Sequence, residues 1–205
     1  MEQKKQVTGF TSYKGIMLQQ HEDYQTQFTK LLETTRPKRI LEIGTGAGGL
    51  TLFLRDTLNE LGLRETYLKS YDVNNTTFDS NVHDLTNLEL SKENLFGGGN
   101  EFVLERKDLI EPYIQSEGLT IVLCDGGNKI KEFNQISQLL KQGDIIMAHD
   151  YCENNEMFLS EYKDKIWNWC EIQEKDIENA CVREGLENFM KHDFNKIVWV
   201  CKIKK

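Results

Sequence analysis

The chain has no C-x-x-C pair and no cysteine and histidine cluster at zinc-binding spacing. Its five cysteines, Cys124, Cys152, Cys170, Cys181 and Cys201, are scattered. An odd, dispersed set argues against a disulfide framework and fits a reducing compartment. Nor does any apolar run approach the ~18 residues of a membrane span, and the N-terminus is polar where a signal peptide would be apolar. A cytoplasmic protein that does not enter membrane is therefore expected. Basic charge is also short: 25 Lys and Arg stand against 33 Asp and Glu, a formal net charge of -8. That balance disfavours a protein that grips nucleic acid by neutralising phosphates. The short runs Lys4, Lys5 and Lys202, Lys204, Lys205 read as solvated termini. Repeats and low-complexity tracts are missing as well.

What is present suffices for one core. A chain of 205 residues, 39% apolar, is long enough for one substantial domain and short for two. Tyr24, Phe28, Leu31 and Leu32 recur at helical spacing, and Pro37 closes that helix, so residues 1–37 read as a lid or flank to a core over 38–205. A strand follows at Arg39 to Gly44, then a helix with Leu50, Phe53, Leu54, Leu58 and Leu61 on one face and Gly62 as its stop. Tyr67 to Val73 reads as the second strand and Glu101 to Leu104, after the Gly97-Gly98-Gly99 loop, as the third. Pro112 opens a short helix, and Leu119 to Cys124 is a fully apolar fourth strand. A helix carrying Phe133, Ile136, Leu139 and Leu140 ends at Gly143, before a fifth strand, Asp144 to Ala148. The last third reads as a helix through Met157 to Trp169 and a β-rich run from Lys196 to Ile203, which pairs antiparallel with the segment around Trp169 to Ile177 at the sheet edge. Alternating strands and helices predict an α/β, doubly wound, Rossmann-like parallel sheet with helices on both faces.

Between the first strand and its helix lies Leu41-Glu42-Ile43-Gly44-Thr45-Gly46-Ala47-Gly48-Gly49. Gly44, Gly46 and Gly49 satisfy G-x-G-x-x-G, a turn that lets backbone approach a nucleotide and aims helix N–H groups at it. Glu42, an acid at the mouth of the strand, suits a ligand with an ammonium and ribose hydroxyls better than a pyrophosphate. S-adenosylmethionine (SAM) is such a ligand.

In open α/β sheets ligands collect at the carboxyl ends of the strands, and Glu42, Asp72, Asp108, Asp125 and Asp150 all fall at or just past predicted strand ends. Asp72, with Val73 beside it, stands where an acid accepts both ribose hydroxyls; capping a helix is the alternative. Asp108 either accepts from an adenine amino group or caps the helix near Pro112. Asp125 and Asp150, with Asn128 nearby, have the oxygen ligands a magnesium ion takes, and a metal there would lower the pKa of an acceptor hydroxyl. His149 and Lys129 are the candidate general bases. His149 has the more suitable unperturbed pKa, and Lys129 would need a depressed one. A hydrogen-bonded structural role is the other reading of His149. His21, His83 and His192 have no such context, and Cys124 and Cys201 read as buried, inert thiols. Tyr151, Tyr162, Trp167 and Trp169 either line an acceptor pocket or pack as core.

On Leu41 to Gly49, Asp72, Leu123-Cys124-Asp125-Gly126-Gly127 and Ala148-His149-Asp150-Tyr151, the chain resembles class I SAM-dependent methyltransferases. Within them it is most similar to the O-methyltransferase group of the cephalosporin hydroxylase-like and macrocin O-methyltransferase-like families. Tyr13-Lys14-Gly15-Ile16 to Asp23 resembles the segment that helps close such sites. The resemblance covers roughly residues 11 to 151. It implies methyl transfer to a small-molecule or sugar hydroxyl, with Glu42, Gly44, Gly46, Asp72 and Asp108 framing the cofactor. It also implies a seven-stranded sheet with an antiparallel last strand, and Asp125 and Asp150 as ligands in a metal-dependent member. His149 departs from the oxygen ligand expected beside Asp150, so a metal-free site with His149 as base stands as the alternative.

Other classes fit less well. A nicotinamide dehydrogenase shares the glycine turn but not the acids Glu42 and Asp125, and a base-modifying DNA enzyme would carry Asn/Asp-Pro-Pro-Tyr/Phe where this chain has Asp-Gly-Gly-Asn. A SAM-binding module without turnover remains open, as do the acceptor's identity and the choice between monomer and homodimer.

Overall fold

The computed structural model describes residues 9–74, 83–97 and 99–205. Lys4, Lys5, Gly98 and part of the polar stretch after Asn74 lie outside the described residues. Seven strands form the central sheet: β1 Arg39–Ile43, β2 Tyr67–Asp72, β3 Leu88–Lys92, β4 Thr120–Cys124, β5 Ile145–Ala148, β6 Leu186–Asn188 and β7 Val200–Lys204. Their spatial order is β6-β7-β5-β4-β1-β2-β3. β1 to β5 pair in parallel, whereas β7 runs antiparallel to both β5 and β6. The central strands are apolar on both faces because helices cover both. Leu41, Val122 and Ile146 enter one core cluster, and their neighbours Ile40, Ile121 and Ile145 enter the other. This is the period of two that a doubly covered sheet requires.

Helix α1, Tyr24–Thr35, buries Tyr24, Phe28, Leu31 and Leu32 and ends at Arg36, whose left-handed backbone lets its N–H donate to Leu32 O. It therefore packs as a flank. A hairpin of Thr11–Tyr13 and Ile16–Leu18 lies closer to the sheet's carboxyl ends. α2, Gly49–Glu60, follows the glycine turn, and α3, Lys107–Gln115, precedes β4. α4, Lys129–Ile136, starts at Asn128, whose side chain accepts from Lys131 N. α5, Glu174–Glu184, has Asp176 accepting from Gln173 N at its start and Gly185, at φ +64°, at its end. Among the described residues no helix is long and apolar enough to cross a membrane.

Four sequence expectations change. The third strand is Leu88–Lys92, not Glu101 to Leu104; Val103–Leu104 instead pairs with Phe96–Gly97 in a separate small ribbon. β3 is an edge strand of five residues with only Leu88 and Leu90 apolar, too short and polar a run to stand out beside the buried strands. Pro112 does not open α3 but sits inside it. A mid-helix proline costs up to about 3 kcal/mol, and complete burial of Ile110 and Ile114 offsets this at about 1.5–3 kcal/mol each. The helix expected through Trp169 stops earlier: Asn155–Met157 and the wider-wound Phe158–Tyr162 are helical, and Asp164, at φ +62°, turns the chain so that Trp167 points inward. Finally, the edge partner of β7 is β6, because the acids Glu174 and Asp176 start a helix where an edge strand was expected.

Candidate functional site

The glycine turn is pressed between the ends of two strands. Gly44 has φ +93°, and a Cβ there would lie 2.2 Å from Asp125 O; Gly46 has φ +56° and faces open space. A Cβ on Gly49 would meet Met17 O at 2.8 Å, so the hairpin closes on the turn from the other side. Asp72, at the end of β2, holds the turn: its Oδ2 accepts from Gly46 N and its Oδ1 from Asn74 N, both at 2.8 Å.

Glu42 lies beneath this turn, not in the crevice. It is fully buried, and its Oε2 accepts from Thr51 Oγ1 and Ser70 Oγ, each at 2.5 Å. With the Ser70 hydrogen committed to Glu42, Thr45 Oγ1 donates to Ser70 Oγ at 2.6 Å. Burial pushes the Glu42 pKa up to about 7, against the lowering effect of the Ser70 and Thr51 bonds. Its Oε1 has no hydrogen-bond partner among the described residues. The acid ties β1, β2 and α2 together under the glycines.

Above the turn opens a crevice of about 620 Å³, floored by Gly44, Thr45, Gly46, Ala47 and Gly49. Asp72 and Val73 line it and also a second, apolar cavity of about 220 Å³ shared with Leu95, Phe96 and Phe102. Phe96 and Phe102 stack at 4.7 Å. Met17, Gln20 and Phe10 overhang the crevice from the N-terminal side, and Trp169 faces Phe10.

At the far end of the crevice Asp125, Lys129, His149, Asp150 and Glu171 converge. Lys129 Nζ lies 3.1 Å from Asp150 Oδ2, 2.8 Å from Glu171 Oε2 and 3.8 Å from Asp125 Oδ1. His149 Nδ1 is 3.1 Å from Asp125 Oδ1, and the ring stacks on Trp199 at 4.9 Å while its Nε2 is buried with no hydrogen-bond partner among the described residues. Asp125 Oδ2 accepts from Gln20 Nε2 at 2.9 Å, and Gln20 Oε1 accepts from Trp199 Nε1 at 2.8 Å. Asp150 Oδ1 accepts from Trp167 Nε1 at 2.6 Å. Asp125, His149 and Asp150 each offer a ligand atom within 4.8 Å of the others.

Mutual charge sets the protonation of this cluster. Burial disfavours the imidazolium, but Asp125 and Asp150 outweigh it and raise the His149 pKa. Burial alone would likewise lower Lys129, yet Asp125, Asp150 and Glu171 raise it, so the amine is held charged and not freed as a base. Burial raises Asp150, and His149, Lys129 and the Trp167 bond together bring it below the usual carboxylate range.

The crevice thus brings together Gly44, Thr45, Gly46, Gly49, Asp72, Val73, Asp125, Lys129, His149 and Asp150. Asp108 is apart from it, exposed at the start of α3 and paired with Arg106 at 3.3 Å. The group after the true third strand is Glu93-Asn94-Leu95-Phe96, which lines the apolar cavity. Of the four aromatic residues weighed for a pocket, Tyr151, Tyr162 and Trp167 are buried in the core clusters and Trp169 lines the crevice. Sequence reading did not find Gln20, Glu171 or Glu132. Glu132 accepts from Gly126 N and Asn128 N, which fixes the turn after Asp125, and burial raises its pKa to about 7. A capping acid four residues past Asn128 was the available signal.

No family model and no curated protein matches the chain. Solved structures do. A structure of CmcI with SAH aligns over 95% of this chain and 82% of its own at 15% identity and a TM-score of 0.60. CmcI with Mg-SAM aligns over 94% and 76% at 16% identity and a TM-score of 0.60. A protein described as a caffeoyl-CoA O-methyltransferase from Staphylococcus aureus aligns over 88% and 82% at 14% identity and a TM-score of 0.54. The chain has the seven-stranded α/β fold of these O-methyltransferase structures.

Proposed function

We propose that this chain is a SAM-dependent O-methyltransferase acting on a small-molecule hydroxyl. The observation that carries the reading is the continuity of the crevice: the glycine turn and Asp72 at one end, and a buried histidine among carboxylates at the other. Bound there, SAM would supply an electrophilic methyl group on a sulfonium. Gly44 and Gly46 give it backbone space that a side chain would fill. Asp72 keeps lone pairs for ribose hydroxyls while bracing the turn, and the cavity of Val73, Leu95, Phe96 and Phe102 suits an adenine face. Glu93 and Asn94 take the adenine-edge role first considered for Asp108.

At the other end His149, oriented by Asp125 through Nδ1, is the group to accept an acceptor's proton, in the neutral form that prevails above its raised pKa. Transfer from a sulfonium otherwise needs in-line placement, since the leaving group is already activated. Asp125 and Asp150 are the candidate ligands for an ion such as the Mg that CmcI was solved with, and Lys129 bears directly on that choice. Five unpaired cysteines fit a reducing, cytoplasmic setting, and the acidic balance suits a small acceptor better than nucleic acid.

The test is methyl-labelled SAM offered with a panel of phenolic, sugar and aliphatic alcohols. The reading expects label in a methyl ether with equimolar release of S-adenosylhomocysteine, both lost in His149→Ala. Label found on nitrogen or carbon would overturn the oxygen assignment.

A further inference from the structure

The cation that belongs between Asp125 and Asp150 is already part of the chain. Four oxygens surround Lys129 Nζ: Glu171 Oε2 at 2.8 Å, Asp150 Oδ2 at 3.1 Å, Gly126 O at 3.2 Å and Asp125 Oδ1 at 3.8 Å. The nearer three are hydrogen-bonding distances for an ammonium. Magnesium holds its oxygens at about 2.0–2.1 Å and keeps several waters, so this cage is too wide for it as built. Moreover, each carboxylate oxygen of the two aspartates has a protein partner. Asp125 Oδ1 faces His149 and Oδ2 accepts from Gln20; Asp150 Oδ1 accepts from Trp167 and Oδ2 faces Lys129.

The lysine's placement is otherwise unfavourable. It is the first residue of α4, where the helix dipole repels a cation, and its side chain is 7% exposed. A buried ammonium without counter-charges would neutralise or withdraw. The three carboxylates are what keep it in place, and two of them, Asp125 and Asp150, are the residues a divalent ion would need.

We propose that the Lys129 ammonium is the resident cation of this site, standing where a divalent ion would stand and leaving the site without a metal. The catalytic consequence rests on the methyltransferase reading: with its charge engaged by Asp125, Asp150 and Glu171, the lysine holds those carboxylates in place, and an acceptor's proton passes to His149 with no metal-bound hydroxyl involved. The metal question itself does not depend on that reading.

The experiment is equilibrium binding of Mn²⁺ alone, followed by the spin-resonance signal of the free ion, to the wild-type chain, Lys129→Met and Lys129→Arg. Wild type and Lys129→Arg should show no stoichiometric site. Lys129→Met should bind one ion at least about tenfold more tightly than wild type, a difference of about 1.4 kcal/mol, and lose it again when Asp150→Asn is added. Stoichiometric Mn²⁺ binding by wild type that Asp150→Asn abolishes overturns the proposal, and this arm stands even if Lys129→Met does not fold. Folded Lys129→Met that binds no better than wild type overturns it too, because the cage would then not be a latent metal site. Calorimetry with SAM on the same samples separates the two claims: a chain that binds no SAM sinks the methyltransferase reading and leaves the Mn²⁺ result to stand by itself.

Discussion

Trp167 Nε1 donates to Asp150 Oδ1 at 2.6 Å, and Asp150 itself holds a left-handed backbone at φ +55°. The bond joins the segment after Tyr162 to the end of β5 and fixes the carboxylate that faces Lys129. Strained non-glycine backbone of this kind persists where surrounding contacts over-determine it, and such positions concentrate at functional sites.

Trp167→Phe keeps an aromatic ring, smaller than the indole, and removes the donor. The buried Asp150 oxygen is then left unpaired, at a cost of about 1–3 kcal/mol. Chemical denaturation should show that loss. Because Trp167 is remote from the glycine turn, SAM affinity should stay within about twofold, well below the tenfold that 1.4 kcal/mol would produce. A loss of SAM binding as large as the loss of turnover would contradict this separation.

Gly44 and Gly46 should respond differently to alanine. Gly44→Ala sets a methyl 2.2 Å from Asp125 O and should cost more than about 3 kcal/mol or prevent folding. Gly46→Ala meets nothing within 4 Å, so only the left-handed backbone counts, at about 1–2 kcal/mol. A folded Gly46→Ala with weakened SAM binding is the expected outcome, read by thermal melting with and without ligand.

Glu42 makes stability depend on pH. Its pKa rises from 4.5 unfolded to about 7 folded, so between these values the folded state binds more protons. The contribution is therefore fully present below pH 4.5 and is lost as pH rises through about 7, of the order of 3 kcal/mol over that window. Glu42→Gln keeps an acceptor for Thr51 and Ser70 without a titrating group. Urea titrations at pH 5 and pH 7.5 should show a smaller decline in the variant; equal declines would refute the assignment.

Gln20 bridges Asp125 and Trp199 and carries the hairpin's connection to the site. Gln20→Ala leaves the buried Trp199 N–H without its acceptor, at about 1–3 kcal/mol. It should raise the KM for the acceptor more than it lowers kcat, because it loosens the overhang and leaves His149 in place.

Four parallel strands were legible in the sequence because each runs into a glycine or an acid within two residues, and two of them, Thr120–Cys124 and Ile145–Ala148, are almost purely apolar. Arg39–Ile43, Tyr67–Asp72, Thr120–Cys124 and Ile145–Ala148 were found this way, and with them Gly44, Asp72, Asp125, His149 and Asp150. The edge strand Leu88–Lys92 was not, since it offers only two apolar residues, Leu88 and Leu90, in a polar stretch. That miss put Asp108 at a strand end it does not occupy and hid Leu95 and Phe96 of the apolar cavity. Trp167 comes from a segment whose periodicity reads as helix and Glu171 from one read as an edge strand, and the turn at Asp164 that redirects the chain between them and Tyr162 depends on contacts made only in the fold. The resident cation was invisible for a similar reason. Lys129 was weighed as a base, and only the distances to Asp150 and Glu171 show its charge fully engaged.

The measurement closest to the central claim is calorimetric titration of the chain with SAM and with S-adenosylhomocysteine. One site for each is expected, the two competing, and both weakened at least about tenfold in Asp72→Ala, as loss of a charged hydrogen-bond acceptor implies. A folded chain that binds neither compound would contradict the account.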